Sequence, residues 1–269
     1  MRRIRDSNKR VLVEQIDQIL VVTINRPHAR NAVSAAVTQG LVDALARAQN
    51  DPDIRAVVVT GAGDEAFCGG GDLKEMAAGR SLYPSPEIER AWGFGGFCRH
   101  PIDKPIIAAV NGYAIGGGVE IAMACDLVVA TESAWFSLPE VRNGFLASGG
   151  GAIRAAQWLP RAIAMEILLL GERFSARQAH EWGLVNRVVP DGRSLSTALD
   201  LAYRIATSAP LAVQATKRLV AGIVDGTAVT EVEAWARNDR EDAVVSEAED
   251  AKEGPRAFAE KRPAVWKGR

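Results

Sequence analysis

The chain has 269 residues, 48% of them apolar, enough for one large α/β core with an appended segment. Thirty-two basic against thirty-three acidic side chains leave a formal charge of −1, so no global field favours nucleic acid. Three cysteines (Cys68, Cys98, Cys125) make neither a metal pattern nor an even disulfide set, and no apolar run approaches the roughly 18 residues of a spanning helix; both point to a soluble protein of the reducing cytoplasm, with no membrane partner.

The opening MRRIRDSNKR is basic but no apolar signal core follows it. Val11 to Asn25 reads as two short strands turning at Asp17, the second ended by Asn25-Arg26-Pro27 because proline cannot donate to a ladder. Ser34 caps a helix to about Gln49, and the β-branched run Arg55 to Thr60 reads as a buried strand. Pro105 to Val110 and Leu127 to Ala130 are two more such strands, with helical stretches near Pro84 to Phe97 and from Gly117 to Ala124. This alternation predicts an α/β architecture with largely parallel pairing. Beyond a capped helix at Ser175 to Glu181 and a strand over Leu184 to Val189, the pattern turns helical: Leu195 to Ser208, Leu211 to Val224 and Val229 to Val245. Gly254-Pro255 is expected to break that pattern before a last helical piece, Arg256 to Lys261. The expected division is a core over residues 1–192 and a helical region over 193–269.

The chemistry concentrates in Ala109 to Asp126, AVNGYAIGGGVEIAMACD. Three glycines (Gly116, Gly117, Gly118) open a helix whose first N–H groups lack intrahelical partners and suit a developing negative oxygen. Glu120 lies three residues past Gly117, on the same helix face. A second cluster, Gly69-Gly70-Gly71-Asp72, also follows a strand and precedes a helix. Two such turns at the ends of neighbouring strands can supply one donor each to a thioester enolate; taken singly, each cluster is also an ordinary turn. Glu140, in Ser137-Leu138-Pro139-Glu140, is placed to face Glu120 across a water, where each carboxyl raises the proton affinity of the other, although a glutamate after proline also suits a helix N-terminus. His28, His100 and His180 are widely spaced, and no phosphate loop, GxSxG elbow or GxGxxG turn is present.

These residues resemble the crotonase (enoyl-CoA hydratase/isomerase) superfamily over nearly the whole chain. The resemblance is carried by Asn25-Arg26-Pro27 with Asn31-Ala32, Ala66 to Lys74, Ala109 to Asp126, Phe136 to Glu140, Ala179 to Val185 and Phe258 to Arg262. It implies a core of repeated ββα units followed by helices that build homotrimers or hexamers, an acyl-CoA thioester substrate, and no metal or redox cofactor. Residue by residue, it implies that Gly71 and Gly117 donate their N–H groups to the thioester oxygen, that Glu120 takes the proton from water, and that Glu140 protonates the α-carbon. Ala29, Arg30, Gly69, Gly70, Asp72, Leu73 and Lys74 match segments bordering CoA, and Lys261 matches a basic position that reaches CoA. The chain departs from the family at Gly71, often a larger residue there, and at Ala147, often proline. Tyr83, Trp92, Phe94 and Phe97 fall where the family varies with acyl group, and either line an acyl pocket or pack a helix.

The reading is an enoyl-CoA hydratase adding water syn across a 2-trans-enoyl-CoA. Its rivals are another crotonase reaction (Δ3-Δ2-enoyl-CoA isomerisation, or hydration with cleavage of an aromatic acyl-CoA) and a non-catalytic binding or scaffold protein.

Overall fold

Continuous β-branched runs are strands buried on both faces, and the computed structural model, which describes residues 9–269 apart from the side chains at 258 and 259, places them in one sheet. Strands β1 (Val11–Ile16) and β2 (Ile19–Ile24) form an antiparallel hairpin about Asp17. Helix α1 (Ala35–Asn50) follows, with Ser34 at its N-cap in extended conformation but with no cap hydrogen bond from its side chain. Then come β3 (Ala56–Gly61), a three-residue β4 (Ala66–Cys68), and the short helices α2 (Leu73–Ala77) and α3 (Pro86–Trp92). The same pattern repeats as β5 (Ile106–Val110), β6 (Tyr113–Ile115) and α4 (Gly117–Met123). A third copy runs β7 (Leu127–Thr131), β8 (Trp135–Ser137) and α5 (Gly151–Trp158). Helix α6 (Arg161–Leu170), β9 (Phe174–Ser175), α7 (Ala176–Glu181) and β10 (Arg187–Val189) complete the sheets.

In each repeat the first strand joins a six-stranded sheet of order β1-β2-β3-β5-β7-β10, and the second joins a four-stranded sheet of order β4-β6-β8-β9. The chain therefore has the repeated ββα core expected of its resemblance. Alternate residues of the large sheet serve opposite layers. Leu20, Val22, Val57, Val59, Ile106 and Ala108 face the main core with Leu41 and Leu45 of α1. Ile19, Val21, Val58, Ile107 and Val129 face a second layer made by Ala198, Leu201 and Ala202 of α8 (Ser194–Ala206).

The remaining helices are α9 (Pro210–Ala221), α10 (Val232–Glu247) and α11 (Glu249–Glu260). A small hairpin, Ile223–Val224 with Thr227–Ala228, ends α9 earlier than its apolar pattern predicts. The expected break at Gly254-Pro255 is corrected: α11 runs through both. Proline has no N–H for the helical ladder, but Ala251 and Ala257 are buried on the helix's inner face, which packs on a 3₁₀ turn at Glu140–Asn143. Gly254 is the contact point, since a Cβ there would lie 1.8 Å from the Asn143 carbonyl oxygen. Among the described residues no helix is long and apolar enough to cross a membrane.

In an exposed helix interior Gly→Ala stabilises by about 1 kcal/mol. Here Gly254→Ala is expected to destabilise by about 1–3 kcal/mol, as overpacking does, read as a lower urea midpoint. A higher midpoint would show that α11 is not seated on the Glu140–Asn143 turn.

Candidate active site

Both glycine clusters sit at the ends of neighbouring strands, though not of β3 and β5, as the apolar runs alone predict. They end β4 and β6, which pair in parallel in the smaller sheet, because three further residues enter a strand before each turn. The turns touch backbone to backbone. A Cβ at Gly118 would lie 2.1 Å from the Cys68 carbonyl oxygen, and one at Gly70 would lie 2.8 Å from that of Ile115 and 3.4 Å from the Gly117 nitrogen. Gly70 and Gly116 have φ of 84° and 54°, the left-handed region that favours glycine. Among the described residues no backbone carbonyl accepts from the Gly71 or Gly117 N–H, so two unspent donors stand on adjacent turns.

Glu120 is in the first turn of α4 and only 3% exposed. The Gly151 N–H, at the start of α5, donates to its Oε1 at 2.9 Å. Burial pushes the Glu120 carboxyl up from the ordinary carboxylate range, while the Gly151 N–H and the Arg154 charge pull against that shift. Glu140 opens the 3₁₀ turn, its Oε1 lying against Gly116, and its buried Oε2 has no hydrogen-bond partner. Burial, and then the Glu120 charge, push the Glu140 carboxyl up as well. The two carboxyls therefore share one field in the same cavity, of about 810 Å³.

Gly71 and Gly117 line that cavity with the two glutamates, as do Gly69, Gly70 and Leu73. Asp72 caps α2, accepting from the Lys74 and Glu75 N–H groups, and pairs with Arg26 at 2.8 Å. That pair ties the Asn25-Arg26-Pro27 turn to the glycine loop, and fully buried Asn31 locks the same corner by accepting from the Arg26 N–H and donating to the Ala62 and Ala66 carbonyls. Ala29 and Arg30 lie in the turn whose Arg30 carbonyl accepts from the Gly69 N–H, and the Arg30 guanidinium pairs with exposed Glu65. Lys74 is on α2 and Lys261 just past α11; neither lines the cavity. The space beside Gly71 is taken by Leu82, whose Cδ1 would be 2.8 Å from an added Cβ. Ala147 is buried, and Ser148 and Gly149 after it line the cavity.

The aromatics divide between the two expected roles. Tyr83 and Phe94 line the cavity, Phe97 is buried in the core, and Trp92 stacks on His100 with centroids 3.7 Å apart. Helix α10 supplies residues that the sequence reading does not single out: Trp235, Asn238, Asp239, Asp242, Ala243 and Ser246. Their spacing of three and four is the signal, a single stripe down one face. A buried ion pair fixes that helix, Arg154 to Glu231 at 3.0 Å, and the Trp235 Nε1–H donates to the same Glu231 oxygen.

Residues 14–269 match the family model described as enoyl-CoA hydratase/isomerase. A carnitinyl-CoA dehydratase of Salmonella enteritidis PT4 is 42% identical over 260 residues, covering 93% of this chain and 95% of that protein. Among solved structures, a carnitinyl-CoA hydratase from Mycobacterium avium is 52% identical with a TM-score of 0.94, covering 97% of this chain and all of that one. An enoyl-CoA hydratase from Mycobacterium tuberculosis H37Rv is 42% identical with a TM-score of 0.75, over 97% of this chain and 100% of its own.

Two raised carboxyls give stability a pH signature. Each holds its proton in the folded state at pH values where the unfolded chain, near pKa 4.3, has lost it, so stability falls as pH rises through that window. The double variant Glu120→Gln/Glu140→Gln lacks this dependence. Its urea-derived stability relative to the parent should increase by about 1–3 kcal/mol between pH 5 and pH 8. Parallel pH profiles would overturn the assignment of raised proton affinity.

Proposed function

This chain belongs to the enoyl-CoA hydratase/isomerase family, and from that premise we propose that it is a hydro-lyase interconverting a 3-hydroxyacyl-CoA and a 2-trans-enoyl-CoA. The observation that carries the reading is the asymmetry of two buried carboxyls beside two unspent backbone donors. Glu120 receives an N–H and lies near Arg154, both of which favour its ionised form, whereas Glu140 has an orphan oxygen and feels the Glu120 charge, which favours its protonated form. One base and one acid are thereby assigned.

In the hydration direction the thioester oxygen is held by the Gly71 and Gly117 N–H groups. Ionised Glu120 removes a proton from water as its oxygen bonds to the β-carbon, and the electron pair moves to the thioester as an enolate. Glu140 delivers its proton to the α-carbon, leaving one proton on the pair, now on Glu120. Dehydration runs the same steps backwards: Glu140 takes the α-proton and Glu120 protonates the departing hydroxide. This chemistry needs no cofactor beyond the CoA of the substrate. The glycine loop, Ala29, Arg30, Asp72, Leu73 and Lys74 would border the CoA portion, with Lys261 reaching it from another subunit.

For the acyl group we propose that of carnitinyl-CoA, for which relatives at 42% and 52% identity are named. We place the protein in the cytoplasm and propose that it is a homotrimer or hexamer, in which the exposed apolar side chains Leu211, Leu219 and Val220 of α9 would be covered.

Mixing the protein with enoyl-CoA substrates and following the conjugated enoyl-thioester absorbance tests the reaction. Rapid loss is expected, with kcat lowered about 10²–10⁴-fold in Glu140→Gln and in Glu120→Gln. Parent-like turnover in either variant would remove that residue from acid–base work, and no turnover by the parent on any enoyl-CoA would overturn the hydro-lyase reading.

A further inference from the structure

The charges lining the cavity do not balance. Its three arginines are each committed to an acid: Arg80 to Glu75, Arg90 to Glu87 at 3.4 Å, and Arg99 to Asp239. Glu89 on α3 and Asp242 on α10 line the same cavity, and neither has an ion-pair partner among the described residues. Burial and then the Asp242 charge raise the Glu89 carboxyl, while burial and the neighbouring Asp239 charge raise that of Asp242 against a hydrogen bond from Ser148.

A second, independent observation comes from Asn238, one turn before Asp242. It is 7% exposed and lines the cavity; its Nδ2 donates to the Ser148 carbonyl at 3.0 Å, and its Oδ1 has no partner. A buried carbonyl left without a donor costs free energy unless something positive meets it. The Tyr83 phenol lines the cavity with Glu89, Asp242 and Glu120; burial first, and then the charges of these three carboxylates, push it up. Tyr83 thus links the acidic wall to the reacting carboxyl, and Glu120 in turn feels Asp242.

We propose that Glu89, Asp242 and the Asn238 carbonyl form a subsite, walled by Tyr83, for a quaternary ammonium on the acyl group of the substrate. Such a group has a diffuse positive charge and no N–H. It is recognised by carboxylates and carbonyl oxygens at van der Waals range and by the face of an aromatic ring. A cation one carbon beyond the hydroxyl-bearing carbon suits a subsite that shares its field with Glu120. The proposal rests on the hydro-lyase reading for the position of the thioester, and it assigns to this chain's own side chains the discrimination between a cationic and a neutral acyl end.

Binding of two saturated thioesters, which cannot react, tests it apart from catalysis. The pair is 4-(trimethylammonio)butanoyl-CoA and its neutral isostere 5,5-dimethylhexanoyl-CoA, measured by titration calorimetry on the full protein. The parent should bind the cationic thioester about 10-fold or more tighter than the isostere. Asp242→Asn and Glu89→Gln should each pull that ratio several-fold toward unity, and taking the ratio within each variant cancels any general loss of fold. Equal or reversed affinities in the parent, absence of binding by both thioesters, or an unchanged ratio in both variants would overturn the subsite. Failure of the hydro-lyase reading shows separately, as no turnover of any enoyl-CoA, the 4-trimethylammonio-2-enoyl thioester included, by a protein that still separates the two saturated ligands.

Discussion

Backbone meeting backbone with no side chain between is the constraint on which the rest of this molecule depends. The turns after β4 and β6 approach so closely that Gly118 lies against the Cys68 carbonyl and Gly70 against the Ile115 carbonyl and the Gly117 nitrogen. Any Cβ at these positions would push the two strands apart. The contact sets the two unspent N–H groups side by side, starts α4 in the main core, and makes Glu120 a buried residue of its first turn. A carboxyl so placed is held by packing that also holds the fold together, so its geometry is as rigid as the core itself.

That rigidity has an electrostatic consequence. A carboxyl at 3% exposure must find donors or take up a proton, and Glu120 does some of each, with the Gly151 N–H on one oxygen and burial raising its proton affinity. Glu140 has no such donor at Oε2, and burial first, then the field of Glu120, raise its proton affinity. Arg154 adds a fixed positive charge nearby, its Nη2 held by the Cys98 carbonyl and Glu231. The site therefore divides proton affinity between chemically identical groups through backbone donors and one buried ion pair.

Much of this was legible in the sequence, for reasons that differ by element. The large sheet could be read because β3 and β5 are covered on both faces, so their apolar runs are unbroken. The glycine turns before α2 and α4 could be read because two clusters of three glycines, each between a strand and a helix, suit close backbone approach, although either one singly is also an ordinary turn. Strands β4, β6 and β8 could not, since three residues show no periodicity and their partners are other short strands dozens of residues away. The helix through Gly254-Pro255 inverted a sound local rule: the glycine that breaks an isolated helix is what lets α11 seat on the Glu140–Asn143 turn.

The end of the cavity lined by α10 was the least legible part because no local segment contains it. Its walls come from the loop at Tyr83, from α3, from the loop at Ser148 and from α10, and they meet only when the C-terminal helices fold back over the core. The Asn238 amide on the Ser148 carbonyl and the Trp235–Glu231–Arg154 chain are the ties that hold α10 there. The region that a sequence reading separates from the core at about residue 193 thus completes the cavity in which the core's carboxyls lie. The division of labour follows from packing. The N–H donors and Glu120 are built into strand ends and a buried helix, whereas the groups that line the far end of the cavity lie on a helix held by a few polar ties. Such a helix can change its cavity-facing stripe without disturbing the glycine contact, so one end of the cavity can vary on a fixed frame of backbone donors and Glu120.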